Sequence, residues 1–565
     1  MNWRRKVLVI AGVAAAMALM STLAGTAWGQ GAQTPQVKEV GREQIDAVIE
    51  VAVRNIVGEQ RADGRWAMGD WAGKPPSEWD MGTTALAMLA LQHSGNKRPE
   101  TQQAIKQGLA YILQHPPSAK TYTAGLMEQV LYTADARAYA SRIGVYGWML
   151  CSGQRLTSPA PGGWGYFLPE PPGDWATQGP KAFAKPVGDR WSDNSNAQFA
   201  ILGLVYAEKA GYQVPRAVWQ RAREYYVDGQ QRDGGWSYQS RSYPKPTSYE
   251  GGPPERSTMS MTLAGTVSIY LCDEALADKD HKQCETRAPN RSHEAGLKWI
   301  EGHWRPKEMT PYGWYACERL GMLMGYSEFG GHDWYQEGTQ QLMADWSWMK
   351  EGSDNAFVVL FLSRGRTPVI INKLKREGDW NLHRYDISHL VEHLSSYYSV
   401  PAQWRIVTLD AKTEQLAKAP ILWMSGHEAL KFTAEEKAKL KEYVERGGTI
   451  LAEDCCSKKP FDESFRAILK ELWPEKELRE LPKTHMIYTN FGKLANPPTL
   501  MGLTTGGEDG RLGVIYIPNG ISCRWEVGGS GTKSALDAGA NIYLYVNKMH
   551  REKQSQPRAP RRSSG

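Results

Sequence analysis

A short phrase of glutamine, glycine and tryptophan recurs along this 565-residue chain and constrains its fold more than any other feature. Clear copies occupy residues 60–66 and 230–236, a degenerate copy occupies residues 162–166, and a weaker echo lies at residues 311–315. Glycine supplies the positive φ that a tight turn needs, and tryptophan can cover a helix end with a large apolar face. Such internal repetition predicts an array or a closed ring of helix pairs.

Apolar segments with helical periodicity lie between these turns. Residues 45–57 carry apolar side chains on one side only, whereas the segments that begin at Asp80 and Asp193 open with polar residues and continue apolar. Similar segments follow at residues 257–271, 312–324 and 354–362. Amphipathic outer helices alternating with apolar inner ones predict a double ring of helices over residues 40–365.

The pattern changes at about residue 366 to strands that alternate with helices. This alternation predicts an α/β domain over residues 366–550, with a doubly wound parallel sheet and ligands at the carboxyl ends of its strands. The predicted strands are residues 368–371, 404–409, 421–424, 449–452 and 512–517, and the predicted helices are residues 386–398, 433–446, 461–472 and 534–547.

Residues 1–29 have the order of a secretory signal peptide. Arg4, Arg5 and Lys6 precede an apolar run over residues 7–20, and small residues lead to Gly29. An uncleaved membrane anchor is the alternative, although the apolar run is short for a spanning helix. We therefore expect an exported, periplasmic protein with no transmembrane span after the signal is removed.

The net charge of +6 is concentrated at the two ends of the chain. The three basic residues of the signal contribute +3 and residues 551–565 contribute +4, which leaves −1 for everything between. A nearly neutral body argues against nucleic acid as a partner, because duplex binding needs a dense basic face. The basic, proline-containing tail of residues 551–565 is predicted to be disordered.

Seven cysteines suit an oxidising compartment without requiring it. Cys272 and Cys284 flank a polar loop and could close a local disulfide. The sequence has no CxxC pair and no HExxH motif, so we predict no metal site and no cofactor.

The glutamine-rich turn that ends in Gly-x-Trp, followed by a capped inner helix, resembles the prenyltransferase and squalene-oxidase repeat over roughly residues 45–365. The resemblance implies the all-α (α/α) toroid of terpenoid cyclases, with a cavity at the N-terminal ends of the inner helices. Such cyclases protonate their substrate with the middle aspartate of a DxDDTA-like motif. Gly82 and Ser195 stand at that position here, so the resemblance implies that cyclase chemistry is lost. Asp80 and Asp193 remain as candidates, and we expect both to cap helices.

A ligand cavity is predicted within this ring. Its expected rim consists of Trp79, Trp164, Tyr166, Trp191, Asn194, Asn196 and Trp236. Trp236 also belongs to the repeat, and we expect it to fill a turn. The expected ligand is apolar, a glycan, or a protein partner in the cell envelope. A toroid enzyme that acts on an isoprenoid or a polysaccharide through paired carboxylates remains the alternative.

Four short segments of the second domain resemble an uncharacterised bacterial domain family with a class I glutamine-amidotransferase-like fold. They are residues 425–427, 447–449, 454–455 and 461–462. Amidotransferases place a nucleophilic cysteine on a G-x-C-x-G elbow. Cys455 lies near that place, but Glu453 and Ser457 replace both glycines, which implies that the elbow is lost.

Four side chains near the predicted strand ends remain candidates for a small-molecule, peptide or hydrolase-like site: His427, Asp454, Cys455 and His485. The alternative is a hydrogen-bonded network that holds the strand ends, with Cys455 buried or bridged to Cys523. The leading hypothesis for the whole chain is an exported, non-catalytic binding or scaffold protein.

Overall fold

The structure is a computed structural model that describes residues 40–67, 77, 79–157, 160–171, 192–239, 256–277, 290–350, 352–397, 402–489, 492, 494, 496–505, 510–528 and 532–555. The predicted signal peptide, Trp191 and Cys284 lie outside the described residues. Every helix within them is too short or too polar to cross a membrane.

Twelve α-helices and a two-stranded hairpin make up the first part of the described chain. The hairpin strands, β1 (Glu328–Phe329) and β2 (His332–Asp333), are antiparallel. The helices are α1 (Arg42–Glu59), α2 (Asp80–His93), α3 (Pro99–Gln114), α4 (Thr121–Asp135), α5 (Ala140–Gly153), α6 (Asn194–Lys209), α7 (Arg216–Gly229), α8 (Met259–Ala275), α9 (Arg291–Gly302), α10 (Pro311–Met324), α11 (Trp334–Ala344) and α12 (Gly352–Gly365).

The even-numbered helices contact one another in a closed order. Helix α2 packs on α4, α4 on α6, α6 on α8, α8 on α10, α10 on α12, and α12 returns to α2. The odd-numbered helices pack against this inner set: α1 on α12, α3 on α2, α5 on α4 and α6, α7 and α9 on α8, and α11 on α10 and α12. This order matches the predicted alternation of amphipathic outer helices with apolar inner ones.

Three copies of the repeated phrase form the same turn. Gln230 donates from Nε2 to the carbonyl of Gly234 in its own turn at 2.7 Å, and to the carbonyl of Ser292 on α9 at 2.8 Å. Gln60 and Gln154 make the same pair of bonds, each to its own turn and to the next outer helix. The glutamine of the phrase therefore joins consecutive outer helices.

The glycine and tryptophan of the phrase have separate roles. Gly162 has a φ of +92°, and a Cβ at this position would lie 2.0 Å from the carbonyl oxygen of Arg221, so only glycine fits. The indole of Trp236 is fully buried and donates to the carbonyl of Tyr226 at 2.9 Å. Trp236 therefore fills its turn as predicted, and Trp66 is bonded in the same way, to the carbonyl of Ile56.

Residues 311–315, the weak echo of the phrase, belong to the helical segment predicted over residues 312–324 and do not form a further turn of this kind. These residues form the first turn of α10, and the Thr310 hydroxyl caps that helix by accepting from the amide of Gly313 at 3.2 Å. Pro311 stands at the first helical position, where its missing N–H costs nothing, so the local signals for a helix start outweigh the Gly-Trp pair.

The second part of the described chain alternates strands and helices. Its strands are β3 (Val369–Leu374), β4 (Gln403–Val407), β5 (Ile421–Gly426), β6 (Thr449–Asp454), β7 (Arg479–Glu480), β8 (Met501–Thr504) and β9 (Leu512–Ile517). Its helices are α13 (Asp386–Tyr397), α14 (Thr413–Leu416), α15 (Ala434–Glu445), α16 (Lys459–Leu472), α17 (Met486–Thr489), α18 (Ser522–Val527) and α19 (Lys533–Ser555).

These strands form one mixed sheet in the order β4-β3-β5-β6-β9-β8-β7. The five strands from β4 to β9 are parallel, whereas β8 pairs antiparallel with both β9 and β7. The prediction of a purely parallel sheet is therefore wrong at one edge. Only residues 505–511 separate β8 from β9, and so short a connection cannot provide the crossover that parallel strands need.

Two further sequence-based expectations differ from the structure. Cys272 is buried and carries a thiol, so it does not form the expected disulfide with Cys284. Helix α19 extends to Ser555, so residues 551–555 are helical rather than disordered. The rest of the predicted tail lies outside the described residues.

Helix α13 of the α/β domain contacts the C-terminal ends of two inner helices. The Lys209 ammonium at the end of α6 lies 2.7 Å from a Glu392 carboxylate oxygen. His389 lies with Nε2 2.8 Å from Glu274 Oε1 on α8, and with Nδ1 2.8 Å from the Trp525 carbonyl. These ion pairs join the helical part to the α/β domain.

We expect the contribution of His389 to stability to be lost in mild alkali. Burial disfavours the imidazolium, but the hydrogen bond and charge of Glu274 outweigh it and raise the pKa of His389 from 6.5 to about 9. Because the folded-state pKa is raised, the stabilisation is complete below pH ~6.5 and disappears as pH rises through about 9. The melting temperature of the wild type should fall as pH rises through this range, and thermal unfolding measures this. In Glu274→Gln the fall should be absent. Equal pH dependence in both proteins would contradict this assignment.

Candidate functional site

Four exposed aromatic side chains lie together beside the start of helices α2 and α4. They are Trp79, Tyr166, Phe167 and Tyr238, with 37–47% of their surface accessible, and we call them the aromatic patch. Among the described residues, only Leu113 and Leu156 are large hydrophobic residues of comparable exposure elsewhere. The exposed apolar surface of the described chain is thus concentrated at one place.

Contacts within the patch hold its rings in a fixed arrangement. Trp79 and Tyr166 pack edge to face with their centroids 6.3 Å apart. The hydroxyls of Tyr166 and Tyr238 are 2.7 Å apart. The Lys120 ammonium lies 4.6 Å from the Trp79 ring centroid and 3.7 Å from that of Phe167, so a cation–π contact supports both rings.

A stack of aromatic rings continues from the patch into the inner helices. Tyr122 of α4 lies 6.4 Å from Tyr166 and 4.6 Å from Phe199 of α6. Phe199 in turn lies 6.5 Å from Tyr315 of α10, which lies 5.3 Å from Phe357 of α12. Four inner helices therefore meet through aromatic side chains, and Phe199 and Tyr315 are buried.

Asp80 does not cap α2 as predicted. Trp79 occupies the cap position and makes no side-chain cap bond, while Asp80 is the first helical residue. Its carboxylate accepts from Arg65 Nε at 2.9 Å and from the Ser77 hydroxyl at 2.7 Å. Burial alone would raise its pKa, but these donors together hold the pKa of Asp80 below its ordinary value. An ionised, salt-bridged carboxylate cannot protonate an alkene.

Asp193 does cap its helix. Its carboxylate accepts from the amide of Asn196 at 2.8 Å, from Asn196 Nδ2 at 2.7 Å and from the Ser195 hydroxyl at 2.5 Å. Burial raises the pKa of this carboxyl, whereas the three donors favour its ionised form. Both oxygens are occupied, so capping accounts for this residue.

The other predicted rim residues make structural contacts. Trp164 is fully buried and donates from its indole to the carbonyl of Leu150 at 2.7 Å. Asn194 is also buried and donates to the carbonyl of Ser237 at 2.7 Å. With Trp236 in its turn and Asn196 on Asp193, only Trp79 and Tyr166 of the predicted residues that the structure describes belong to the accessible patch.

A second candidate site lies beyond the carboxyl ends of the parallel strands. Cys455 follows β6, Cys523 lies in α18 after β9, and His383 lies in the connection after β3. His383 Nε2 is 3.1 Å from Cys455 Sγ and 3.4 Å from Cys523 Sγ, and the two sulfurs are 3.8 Å apart. We call these three residues the thiol cluster. Both cysteines carry thiols, so the bridge considered from the sequence does not form.

The two thiols affect each other's ionisation. The hydrogen bond from Cys455 outweighs burial and, together with His383, lowers the pKa of Cys523 to about 5. The bond to Cys523 and burial both raise the pKa of Cys455. A single negative charge on Cys523, beside the His383 ring, is the arrangement that this geometry favours.

Buried ionic groups hold the segments that carry the thiol cluster. Glu453 accepts from the amides of Ile521 at 2.8 Å and Ser522 at 3.1 Å, and also from the Ser522 hydroxyl, immediately before Cys523. Lys373 donates to the His383 carbonyl and pairs with Asp386 at 2.6 Å. These contacts fix the backbone on both sides of the cluster.

Comparison with known proteins identifies the second domain only. Residues 370–546 match the family described as a domain of unknown function, DUF4159. No curated protein matches the chain. The DUF4159 match begins within β3 and ends within α19, so it includes residues of all seven strands of the mixed sheet.

Solved structures similar to the chain include variants of the type II terpene cyclase MstE from Scytonema. A variant in complex with the product merosterolic acid A is 14% identical; the match covers 53% of this chain and 78% of the cyclase, with a TM-score of 0.31. A second variant, in complex with the substrate geranylgeranyl dihydroxybenzoate, is 16% identical, with coverages of 53% and 77% and a TM-score of 0.31. A likeness at this level does not transfer an activity to this chain.

In the DUF4159 domain, three of the four predicted site residues lie together at the carboxyl ends of the parallel strands. His427 follows β5, donates from its amide to Asp379 Oδ2 at 2.5 Å, and has a ring nitrogen within 4.8 Å of Cys455 Sγ. Asp454 precedes Cys455, and burial with the nearby Asp462 raises its pKa to about 6. His485 instead bonds the amide of Ile487 and packs on Tyr545 of α19.

Several residues of the two candidate sites were not predicted from the sequence. Tyr238 stands two positions after its repeat tryptophan, as Tyr166 does after Trp164, so the repeat itself carried a signal for both hydroxyls. His383 lies in a connection without a motif, and its distance to Cys523, 140 residues later, is set only by the sheet order.

Proposed function

We propose that this chain is an exported binding protein whose ligand site is the aromatic patch on a helical toroid. The observation that carries the proposal is the clustering of Trp79, Tyr166, Phe167 and Tyr238, all exposed and mutually supported. Exposing large aromatic rings is unfavourable unless a ligand or partner covers them, and contiguous exposed patches mark such sites.

The closed contact order of the six inner helices supports a helical toroid. The residues at the positions of the cyclase acid support the absence of cyclase chemistry. Gly82 and Ser195 stand where the proton donor of a cyclase is expected. Asp80 is ionised in its salt bridge, and Asp193 is occupied as a cap. Aromatic rings of four inner helices also pack against one another inside this ring.

The chemistry of the patch favours a glycan over a hydrocarbon ligand. Sugar rings pack on indole and phenol faces through their C–H surfaces, while their hydroxyls need hydrogen-bonding partners. Trp79 and Phe167 supply faces, and the paired hydroxyls of Tyr166 and Tyr238 supply donors and acceptors. An isoprenoid offers no hydrogen-bonding partner for the donor and acceptor positions that this pair leaves open.

We expect Trp79→Ala and Tyr166→Ala each to weaken glycan binding by about tenfold or more, because a desolvated aromatic anchor contributes at least ~1.4 kcal/mol. Isothermal titration with soluble cell-envelope glycan fragments, and in parallel with a dispersed isoprenoid, measures the effect. Leu113→Ala is the matched control, since Leu113 is 40% exposed on α3 and outside the patch.

Three outcomes decide this proposal. Glycan binding that falls in both patch variants but not in the control supports it. If only the isoprenoid bound, the aromatic patch would remain the proposed site, but its ligand would be an isoprenoid and not a glycan. Turnover of either ligand that disappears in Asp193→Asn would overturn the non-catalytic assignment.

For the DUF4159 domain, we infer a class I glutamine-amidotransferase-like fold without the nucleophile elbow. The run of five parallel strands and the position of Cys455 directly after β6 support the fold. Cys455 is fully buried and its pKa is raised, so it lacks the exposed thiolate that a hydrolase nucleophile needs. A hydrolase-like reaction at Cys455 and His427 is therefore not favoured.

A further inference from the structure

We propose that His383, Cys455 and Cys523 form a zinc-binding site in the DUF4159 domain. Two thiol sulfurs and one imidazole nitrogen converge there from three connections after three different strands. Cysteine and histidine are the preferred ligands of Zn²⁺, and two thiolates would balance its charge in a buried place.

The ligand atoms have the spacing of one face of a tetrahedron. Zinc bonds of ~2.3 Å to sulfur and ~2.0–2.1 Å to nitrogen place tetrahedral sulfurs ~3.8 Å apart, and sulfur and nitrogen ~3.5 Å apart. The sulfurs here are 3.8 Å apart, and the imidazole nitrogen lies 3.1 and 3.4 Å from them. Reaching the zinc spacing therefore needs only side-chain shifts of about 0.4 Å, without backbone movement.

Outer contacts pre-position these ligands, as outer-sphere groups do in zinc sites. Glu453 binds the two amides that precede Cys523, and Lys373 binds the carbonyl of His383 while it pairs with buried Asp386. Burying three ionisable side chains beside the cluster is costly, and hydrogen bonds and an ion pair compensate that cost here.

Backbone strain after β6 is consistent with a constructed site. Cys456 and Ser457 have φ of 55° and 56°, and they are the non-glycine residues with positive φ in the described chain. Cys455, immediately before this turn, is buried, whereas Cys456 is exposed and disulfide-bonded and so is not a ligand. Strain of this kind costs of the order of 1–3 kcal/mol per residue and concentrates at functional sites.

The site has three protein ligands and one remaining position. His427 lies beside it, with a ring nitrogen within 4.8 Å of Cys455 Sγ. Its Nε2 is buried and makes no hydrogen bond to any described residue. That nitrogen can bond a metal-bound water, so the site resembles zinc centres that keep an open coordination position.

Metal titration of the chelator-treated full-length chain tests the proposal. We expect one Zn²⁺ per chain, and Co²⁺ should give the visible absorption of a thiolate-bound tetrahedral ion. Cys523→Ala, Cys455→Ala and His383→Ala should each lower zinc affinity by more than about 100-fold, since even outer-sphere changes cost about 10–100-fold. Cys317→Ala is the control, because Cys317 is a buried thiol on α10.

The competing interpretation is a redox pair of thiols. A disulfide requires the sulfurs to move from 3.8 Å to about 2.05 Å, and mass spectrometry of unreduced protein detects it. A wild-type chain that binds no Zn²⁺ with both thiols reduced, or that retains Zn²⁺ in Cys523→Ala, would overturn the proposal. Because a variant can misfold, the melting temperature is measured as well: Zn²⁺ should raise it for the wild type and Cys317→Ala but not for folded Cys523→Ala.

Discussion

Replacing Trp236 by alanine should lower the free energy of unfolding by about 3–5 kcal/mol. The indole is fully buried and lies against Gly265 and Gly296, where an added Cβ would come within 3 Å of the ring. Its removal leaves a large cavity between α7, α8 and α9, and it also leaves the Tyr226 carbonyl without the indole donor. Chemical denaturation monitored by far-UV circular dichroism measures the loss.

Trp79→Ala is the matched control for this prediction. Trp79 is 39% exposed, so its truncation should change the free energy of unfolding by less than about 1 kcal/mol while it weakens ligand binding. If Trp236→Ala unfolded no more easily than Trp79→Ala, the structural role assigned to the repeat would be incorrect.

Asp386→Asn should cost a comparable amount, about 3–5 kcal/mol, because it leaves the Lys373 ammonium buried without a counter-charge. The two side chains are 0% and 1% exposed and lie 2.6 Å apart. Asp386 also accepts from the Trp423 indole at 3.2 Å and from the amide of Ile387 at 2.6 Å, so the carboxylate serves three buried donors. Urea denaturation at neutral pH measures the change.

Two variants distinguish this cost from general sensitivity. Glu471→Gln breaks a solvent-accessible pair with Lys437 and should change stability by less than about 1 kcal/mol. The double variant Lys373→Met/Asp386→Leu removes both charges and should recover most of the loss. Failure of the double variant to recover would mean that Asp386 acts mainly through bonds other than its ion pair.

The sequence carried strong information about the helical part. The repeat phrase located the turns at residues 60–66 and 230–236, because glycine and glutamine meet local requirements that few other residues satisfy. The echo at residues 311–315 is not a turn, because Thr310 and Pro311 encode the start of the helix that the apolar periodicity predicts over residues 312–324.

The α/β domain was predictable as alternating elements but not as a sheet. Strand order and the antiparallel edge depend on which connections cross over, and that choice is made by packing on both faces. The thiol cluster depends on the same choice. His383 and Cys523 meet only because β3 and β9 lie on either side of β5 and β6.

Local chemistry thus determined where this chain turns, which helices are apolar all round, and that Gly82 and Ser195 cannot supply the strong acid that protonates an alkene. Only the tertiary structure decided which aromatic rings stay exposed, which carboxylates are paired, and which distant sulfur and nitrogen atoms meet. The physical reason is range: turn and helix preferences act over a few residues, whereas burial and convergence of side chains depend on contacts between segments far apart in the chain.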